Sequence, residues 1–414
     1  MQIIADLHIH SKYSRATSRA LDIFEIEKWA KIKGVNLMAT ADFTHPAWFK
    51  HLQDNLIEVN QGIYKIKNSQ SGVKFFVSTE ISCIYSKKEK VRRLHLVIFA
   101  PSLEVAEKLN KRLEMIGNLK ADGRPILGLD AKELLKICLD VDEKILVIPA
   151  HAWTPWFSVF GSNSGFDSLE ECFEELTPCI YAIETGLSSD PLMNWRLSAL
   201  DKITLISNSD AHSGQMIARE ANVFDLTDFN YEEIYQIIKN KKKKKFLYTI
   251  EFFPEEGKYH FDGHRQCKIS FTPSETKKHQ GICPLCKKPL TIGVLNRVDK
   301  LADREKVINS QEQISFKSLI PLSEIIAEAC QQNRNTKRVT DLYFDLIKKG
   351  ESELNILINL NKDELFKIMP KLIAQGIIKA RHGEVERIGG YDGEYGKIKV
   401  FSQKELENPQ KSLF

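Results

Sequence analysis

The sequence predicts an α/β protein: βα units around a parallel sheet, then a small zinc-binding insert, then a mainly helical C-terminal domain. Three observations carry this. From residue 1 to about 250, short runs rich in Ile, Val, Phe and Leu alternate with amphipathic, helix-like segments. Residues 251 to about 300 turn rich in His, Cys, Pro and Lys with little apolar periodicity, and beyond 300 apolar residues recur at helical spacing, as in TDLYFDLIKKG and KDELFKIMPKLIAQGIIKA.

Taken in order, the runs are IIADLHIH, VNLMATADF, KFFVSTEIS, RRLHLVIFA, ILVIPAHAW, IYAIETG and ITLISNSDAH, with FLYTIEFF as a candidate last one. The expected division is 1–250, 251–300 and 301–414, because 414 residues exceed one ordinary core. Hydrophobic residues make up 43% and charged residues 28%, the balance of a soluble globular protein. No run reaches membrane-spanning length without charge and no secretory leader is visible, so the expectation is a cytoplasmic protein with no membrane partner. Eight cysteines scattered over this length do not form a secreted disulfide framework. A net charge of +4 neither requires nor excludes a nucleic-acid partner.

Polar residues recur where the apolar runs stop: His8 and His10, Asp42 and His45, Glu80, His151, Glu184, then Asp210 and His212, with His95 inside its run. Singly, each reads as a strand-end polar residue or a helix cap. If the strands are parallel, their C-terminal ends gather at one mouth, where barrel enzymes build active sites. His8, His10, Asp42, His45, Glu80, His95, His151, Asp210 and His212 are together the ligand mix of a multinuclear Zn, Mn or Fe site, since a carboxylate can bridge two cations.

In order and strand context, DLHIHS, ATADF, TEIS, the later His95, PAHAW and NSDAH resemble the motifs of the polymerase and histidinol phosphatase (PHP) family of metal-dependent phosphoesterases. The resemblance covers roughly the first 250 residues and implies a distorted (β/α)7 barrel holding two or three divalent metals (Zn, Mn or Mg). Carried over, His8, His10, Glu80 and Asp210 would hold one metal, with Glu80 bridging to a second on His95 and His151, and His212 serving a third. Phe43 stands where the family usually has a histidine, with His45 two residues on, and Ser14 and Arg15 replace another. The roles of Asp42 and His45 stay open.

A closer resemblance, over nearly the whole chain, is to the PHP-type DNA repair endonucleases. It rests on GLSSDPLMNWRLSALD, on DGHRQC and CPLCKKPLTIGVLNRVDKLADR, and on GYDGEYGKI. This implies a hydrolase cutting DNA 5′ to hypoxanthine, uracil or an abasic site, with damaged DNA as partner. Within these stretches Asp190, beside Asp210 and Glu80, is a candidate catalytic acid/base, or the start of an Asp-Pro turn. Arg196 is a candidate phosphate ligand, or half of a surface ion pair.

His264-x2-Cys267 and Cys283-x2-Cys286, 15 residues apart, have the spacing of one structural zinc, with His260 and His279 as competitors for the histidine position. KNKKKKKF, with Lys241 and Lys242, reads either as a solvated helix end or as a phosphate-binding patch. In GGYDGEYG, Tyr391 and Tyr395 are candidate walls of a flipped-base pocket, or packed tyrosines of a hairpin turn. A sliding clamp is a further candidate partner, although the terminal KSLF is too short to define a motif. The rivals are a small-molecule phosphatase of histidinol-phosphatase type and a non-catalytic DNA-binding scaffold.

Overall fold

The computed structural model describes residues 1–304 and 313–407. Its N-terminal body contains β1 (Gln2–Asp6), β2 (Leu37–Ala39), β3 (Leu56–Asn60), β4 (Ile63–Ile66), β5 (Lys74–Phe76), β6 (Ser78–Lys87), β7 (Lys90–Phe99), β8 (Ile126–Leu127), β9 (Leu146–Pro149), β10 (Ala182–Glu184), β11 (Thr204–Ile206), β12 (Ala221–Asp225) and β13 (Phe246–Glu251). The Cys-rich segment adds β14 (Asp262–His264) and β15 (Ile269–Phe271), and the remainder adds β16 (Ser315–Ser318), β17 (Glu386–Ile388) and β18 (Lys397–Lys399).

An eight-stranded sheet runs β16-β13-β12-β1-β2-β5-β4-β3, a four-stranded sheet runs β8-β6-β7-β9, and β10 pairs β11. The chain crosses between the larger sheets at Val77, where β5 ends and β6 begins. One apolar cluster draws Ile3, Ala5, Leu37, Phe76, Val97, Ile148, Ala182, Ile206 and Phe224 from all three sheets, so they share an interior. No continuous ladder closes them into a ring among the described residues.

The pairing is mixed, which corrects the expectation of a parallel sheet. β1 pairs β2 parallel but β12 antiparallel, and RRLHLVIFA folds back along KFFVSTEIS as the long antiparallel β6–β7 pair. An apolar run encodes burial and not strand direction; the short Lys88–Glu89 turn, with φ of 50° and 61°, forces the reversal.

Helices cover the sheets for local reasons. In Ile23–Lys33, Asp22 caps the N–H groups of Phe24 and Glu25, Ile23, Ile26 and Ala30 are buried, and Gly34 at φ 88° ends the helix. In Leu103–Leu113, capped by Ser102, Val105, Ala106, Leu109 and Leu113 form the buried stripe. After residue 313 the chain pairs β16 parallel to β13. Helices Leu322–Ala329, Lys337–Gly350, Lys362–Ile368 and Lys371–Arg381 then pack around Ile325, Ile326, Val339, Leu346, Leu365, Ile373 and Ile377. A buried Lys33–Glu353 ion pair of 2.5 Å ties this helical part to the first helix. No described helix is long and apolar enough to cross a membrane.

Candidate metal centre

Strand periodicity explains how distant residues meet. Glu80 opposes Val97 and Ser82 opposes His95 in the β6–β7 ladder, so Glu80 and His95 are diagonal neighbours on one face. Glu80 Oε1 lies 3.0 Å from His95 Nδ1 and 3.3 Å from His151 Nε2, the latter delivered just past β9. The two histidine nitrogens are 3.2 Å apart. Just past β1, His8 and His10 converge on Asp210, which follows β11: Asp210 Oδ1 is 3.8 Å from His8 Nε2 and 3.1 Å from His10 Nε2. Glu80 stands between the two groups, Oε1 3.7 Å from His8 Nε2 and Oε2 3.3 Å from His10 Nε2.

The rings are held from behind. His8 Nδ1 meets Glu184 Oε1 at 3.0 Å, and Glu184 also accepts from the backbone N–H of His151 and the amide of Asn208. His10 Nδ1 meets Asp42 Oδ1 at 3.2 Å, and the other Asp42 oxygen accepts from Ser11 and Ser14. Such contacts on one ring nitrogen orient the other toward a ligand. The backbone is strained here: Asp42, His151 and Asp210 adopt φ of 39°, 29° and 47°. Left-handed non-glycine residues of this kind cluster at functional sites.

Divalent ions fit this donor set. His8 Nε2, His10 Nε2 and Asp210 Oδ1 are buried without a hydrogen-bond partner, although His10 and Asp210 approach to 3.1 Å. His8, His10 and Asp210 form one group that could hold a metal, and Glu80, His95 and His151 a second. Burial opposes charge on Asp210, but His10 and His8 outweigh it and hold the carboxyl below its ordinary range. Burial pushes His95 down to about 4 despite Glu80. His95 is thereby neutral, the form that binds a cation, whereas at His8 and His10 burial is outweighed by the surrounding carboxylates, which push both imidazoles up, so a cation would bind there by displacing a proton.

Loop 118–125 reaches the cluster because Gly123 has no Cβ, which would collide with Asp42 and Ser14. It delivers Arg124, whose Nη1 is 2.9 Å from Glu80 Oε2. His45 stands apart from both groups: its Nδ1 caps Trp48 N and its ring stacks on Tyr13 at 4.2 Å. His212 Nδ1 faces the Asp210 carbonyl at 2.9 Å, its ring 4.5 Å from that of His10. Asp190 caps the short helix Pro191–Asn194.

A third donor group, His264, Cys267, Cys283 and Cys286, assembles at the β14–β15 turn. His264 Nδ1 lies 3.7 Å from Cys286 Sγ. Of the competing histidines, His260 is buried against Phe261 and His279 stacks on Phe271 at 4.8 Å. Three thiols and an imidazole suit a closed tetrahedral ion.

The chain superposes on the lesion-specific endonuclease of Pyrococcus furiosus with a TM-score of 0.87 and 30% identity, covering 98% of this chain and 97% of that one. The chain belongs to the endonuclease Q family. A second endonuclease Q structure, bound to a 27-mer duplex with an abasic lesion at its active site, matches with a TM-score of 0.86 and 30% identity over 98% of each chain. An uncharacterized protein of Methanocaldococcus jannaschii, MJ0043, is 34% identical over 261 residues, 61% of this chain. The chain spans about a third (32%) of that relative's length. Residues 321–384 match the family model described as the MJ0043 C-terminal domain.

The other expected contacts of this endonuclease Q family member lie away from both donor groups. Arg196 pairs with Asp299 at 2.7 Å. The helix before the lysine run ends at Lys239, and Lys241 Nζ donates to the Asp201 carbonyl and to Gln313. Lys242 donates its backbone N–H to Ile237 and accepts from Phe246. Tyr391 packs over Gly263, and Tyr395 is 71% exposed with Lys258 Nζ 4.5 Å above its ring. The KSLF tail lies outside the described residues, and the sliding-clamp partner gains no support. Glu184, one of the strand-end polar residues of the sequence, orients His8 from the end of β10, whereas Arg124 reaches Glu80 from a loop that no sequence motif marks.

Proposed function

We propose that this chain is a metal-dependent DNA repair endonuclease that hydrolyses the phosphodiester 5′ to a deaminated base, hypoxanthine or uracil, or to an abasic site. The observation that carries the reading is the convergence of His8, His10 and Asp210 with Glu80, His95 and His151, in a fold shared over its length with an endonuclease Q holding a lesion duplex. In this reading the N-terminal 250 residues act as a distorted (β/α)7 barrel, the Cys-rich segment holds a structural zinc, and the C-terminal part grips damaged DNA.

His8, His10 and Asp210 would hold one divalent ion and Glu80, His95 and His151 another, with Glu80 shared. When bound, such ions supply positive charge that polarises a phosphoryl oxygen and lowers the pKa of water. The chain does the rest. Glu184 and Asp42 hold the tautomers of His8 and His10 from behind. Arg124, at the edge of the cluster, has five N–H donors and neutralises a non-bridging phosphate oxygen once Glu80 is engaged elsewhere. His212, partly exposed beside Asp210, is the third-ion ligand or a proton carrier at the leaving oxygen.

The test is strand scission. A duplex with one uracil, hypoxanthine or abasic site should be nicked in the presence of Mn2+ or Zn2+, and His8→Ala should abolish nicking without unfolding the protein. Turnover of a soluble phosphomonoester with intact DNA would point instead to a small-molecule phosphatase. Loss of all metal except one zinc per chain would point to a scaffold.

A further inference from the structure

We infer that Trp156 is the stacking platform for the damaged nucleobase at the metal mouth, an inference that rests on the nuclease reading above. The segment from His151 to Phe166 is a closed, pinned loop. Phe160 N donates to Ala152 at 2.9 Å, Asn163 N to Pro155 at 3.0 Å and Phe166 N to Val159 at 2.6 Å. Its two tryptophans are treated differently. Trp153 is buried, donating to Asn194 at 2.7 Å and packing on Phe160 at 4.8 Å, whereas Trp156 leaves 38% of its surface in solvent.

The neighbours of Trp156 place it at the donor groups. Thr154 Oγ1 lies 3.1 Å from His151 Nδ1 and donates to the Trp156 carbonyl at 2.9 Å. On the other side, the Phe157 ring is 4.7 Å from that of His95, whose backbone N–H donates to the Phe157 carbonyl at 3.0 Å. The indole therefore projects from the short stretch that touches both His95 and His151. Tyr259 braces it edge-on, ring centroids 5.3 Å apart and planes at 70°. Tyr259 is itself anchored, its carbonyl accepting from Val294 N at 2.7 Å.

A large aromatic surface kept in water on a rigid loop beside a phosphoesterase-type centre suits a flat, hydrophobic partner one sugar away from the scissile phosphate. An enzyme acting at a lesion must take the base out of the stack, and a fixed π-surface offsets the unstacking. Stacking is indifferent to the base edge. The platform would thus accept uracil and hypoxanthine alike, and it would have nothing to hold at an abasic site. Tyr391, packed on Gly263, and Tyr395, under Lys258, have no comparable link to the donor histidines.

The experiment is single-turnover nicking by the full chain, with Mn2+, of three duplexes identical except for uracil, hypoxanthine or a tetrahydrofuran abasic analogue. In Trp156→Ala the ratio of base-bearing to abasic nicking should fall about tenfold or more, and Trp156→Phe should restore most of it. An unchanged ratio, whether through equal loss on all three substrates or no loss at all, overturns the inference and leaves the nuclease reading standing. Failure of the wild type to nick any of the three overturns the nuclease reading, and this inference with it.

Discussion

Asp42 Oδ1 sits 3.2 Å from Nδ1 of His10, on the side of the ring away from Asp210. The carboxylate is fully buried and tied to Ser11 and Ser14, and burial alone would raise its pKa, but His10 and these donors hold it low. Asp42→Asn keeps the shape and loses the charge that fixes the imidazole. Calorimetric titration should show the affinity of the catalytic ions weakened about 10–100-fold, with the Cys-rich ion unaffected. Unaltered affinity at the catalytic ions would reduce Asp42 to a packing residue.

Arg124 is paired with Glu80 at 2.9 Å and is partly exposed at the edge of the cluster. With metal and DNA saturating, Arg124→Ala should slow nicking about a hundredfold, the scale of losing one donor to developing oxyanion charge. Arg124→Lys should recover only part, because an ammonium lacks the guanidinium fork. Equal rates in all three proteins would assign Arg124 to structure alone.

Glu251 is buried at the end of β13, accepting from Thr185 and Ser207, and burial pushes its carboxyl up from 4.5 to about 8. The folded chain therefore keeps a proton that the unfolded chain releases between those values. Its contribution favours folding at low pH and is lost as pH rises toward 8, with a slope of at most about 1.4 kcal/mol per pH unit. Denaturant titrations from pH 5 to 8 should show Glu251→Gln gaining stability relative to wild type as pH rises. A constant difference across that range would exclude the buried proton.

The Cys-rich group anchors the GYDGEYG turn through nearby contacts: Asp392 accepts from Arg265 N at 2.6 Å and from Thr291 Oγ1 at 2.6 Å. Cys283→Ser should remove one zinc per chain by elemental analysis and speed proteolysis within 258–300 and at the turn, while the catalytic ions remain. Retention of the full metal content would mean that these four side chains hold no ion.

His8, His10, His151 and Asp210 could be picked out because each follows an apolar run. Glu80 instead lies near the start of β6 and His95 within β7, so their approach to the other donors depends on the antiparallel β6–β7 pairing and not on a shared strand end. Strand direction was not legible, since the β6–β7 reversal depends on a two-residue turn inside a continuous apolar and basic stretch. Asp42 and Glu184 carried the right chemistry, but whether a carboxylate faces the ion or the back of an imidazole is decided by tertiary distances of a few ångströms. Arg124 and Trp156 sit in loops with no periodicity. The reach of Arg124 depends on Gly123, and Trp156 is distinguished from Trp153 only by which one finds a buried partner.

The most direct measurement is strand scission of a duplex with a single abasic site by chelator-stripped protein, before and after Mn2+ is restored, beside Asp210→Asn under the same conditions. The account predicts one nick 5′ to the lesion that requires the restored metal, no nick in undamaged duplex, and none with Asp210→Asn. Metal-independent nicking, or full activity in Asp210→Asn, would contradict it.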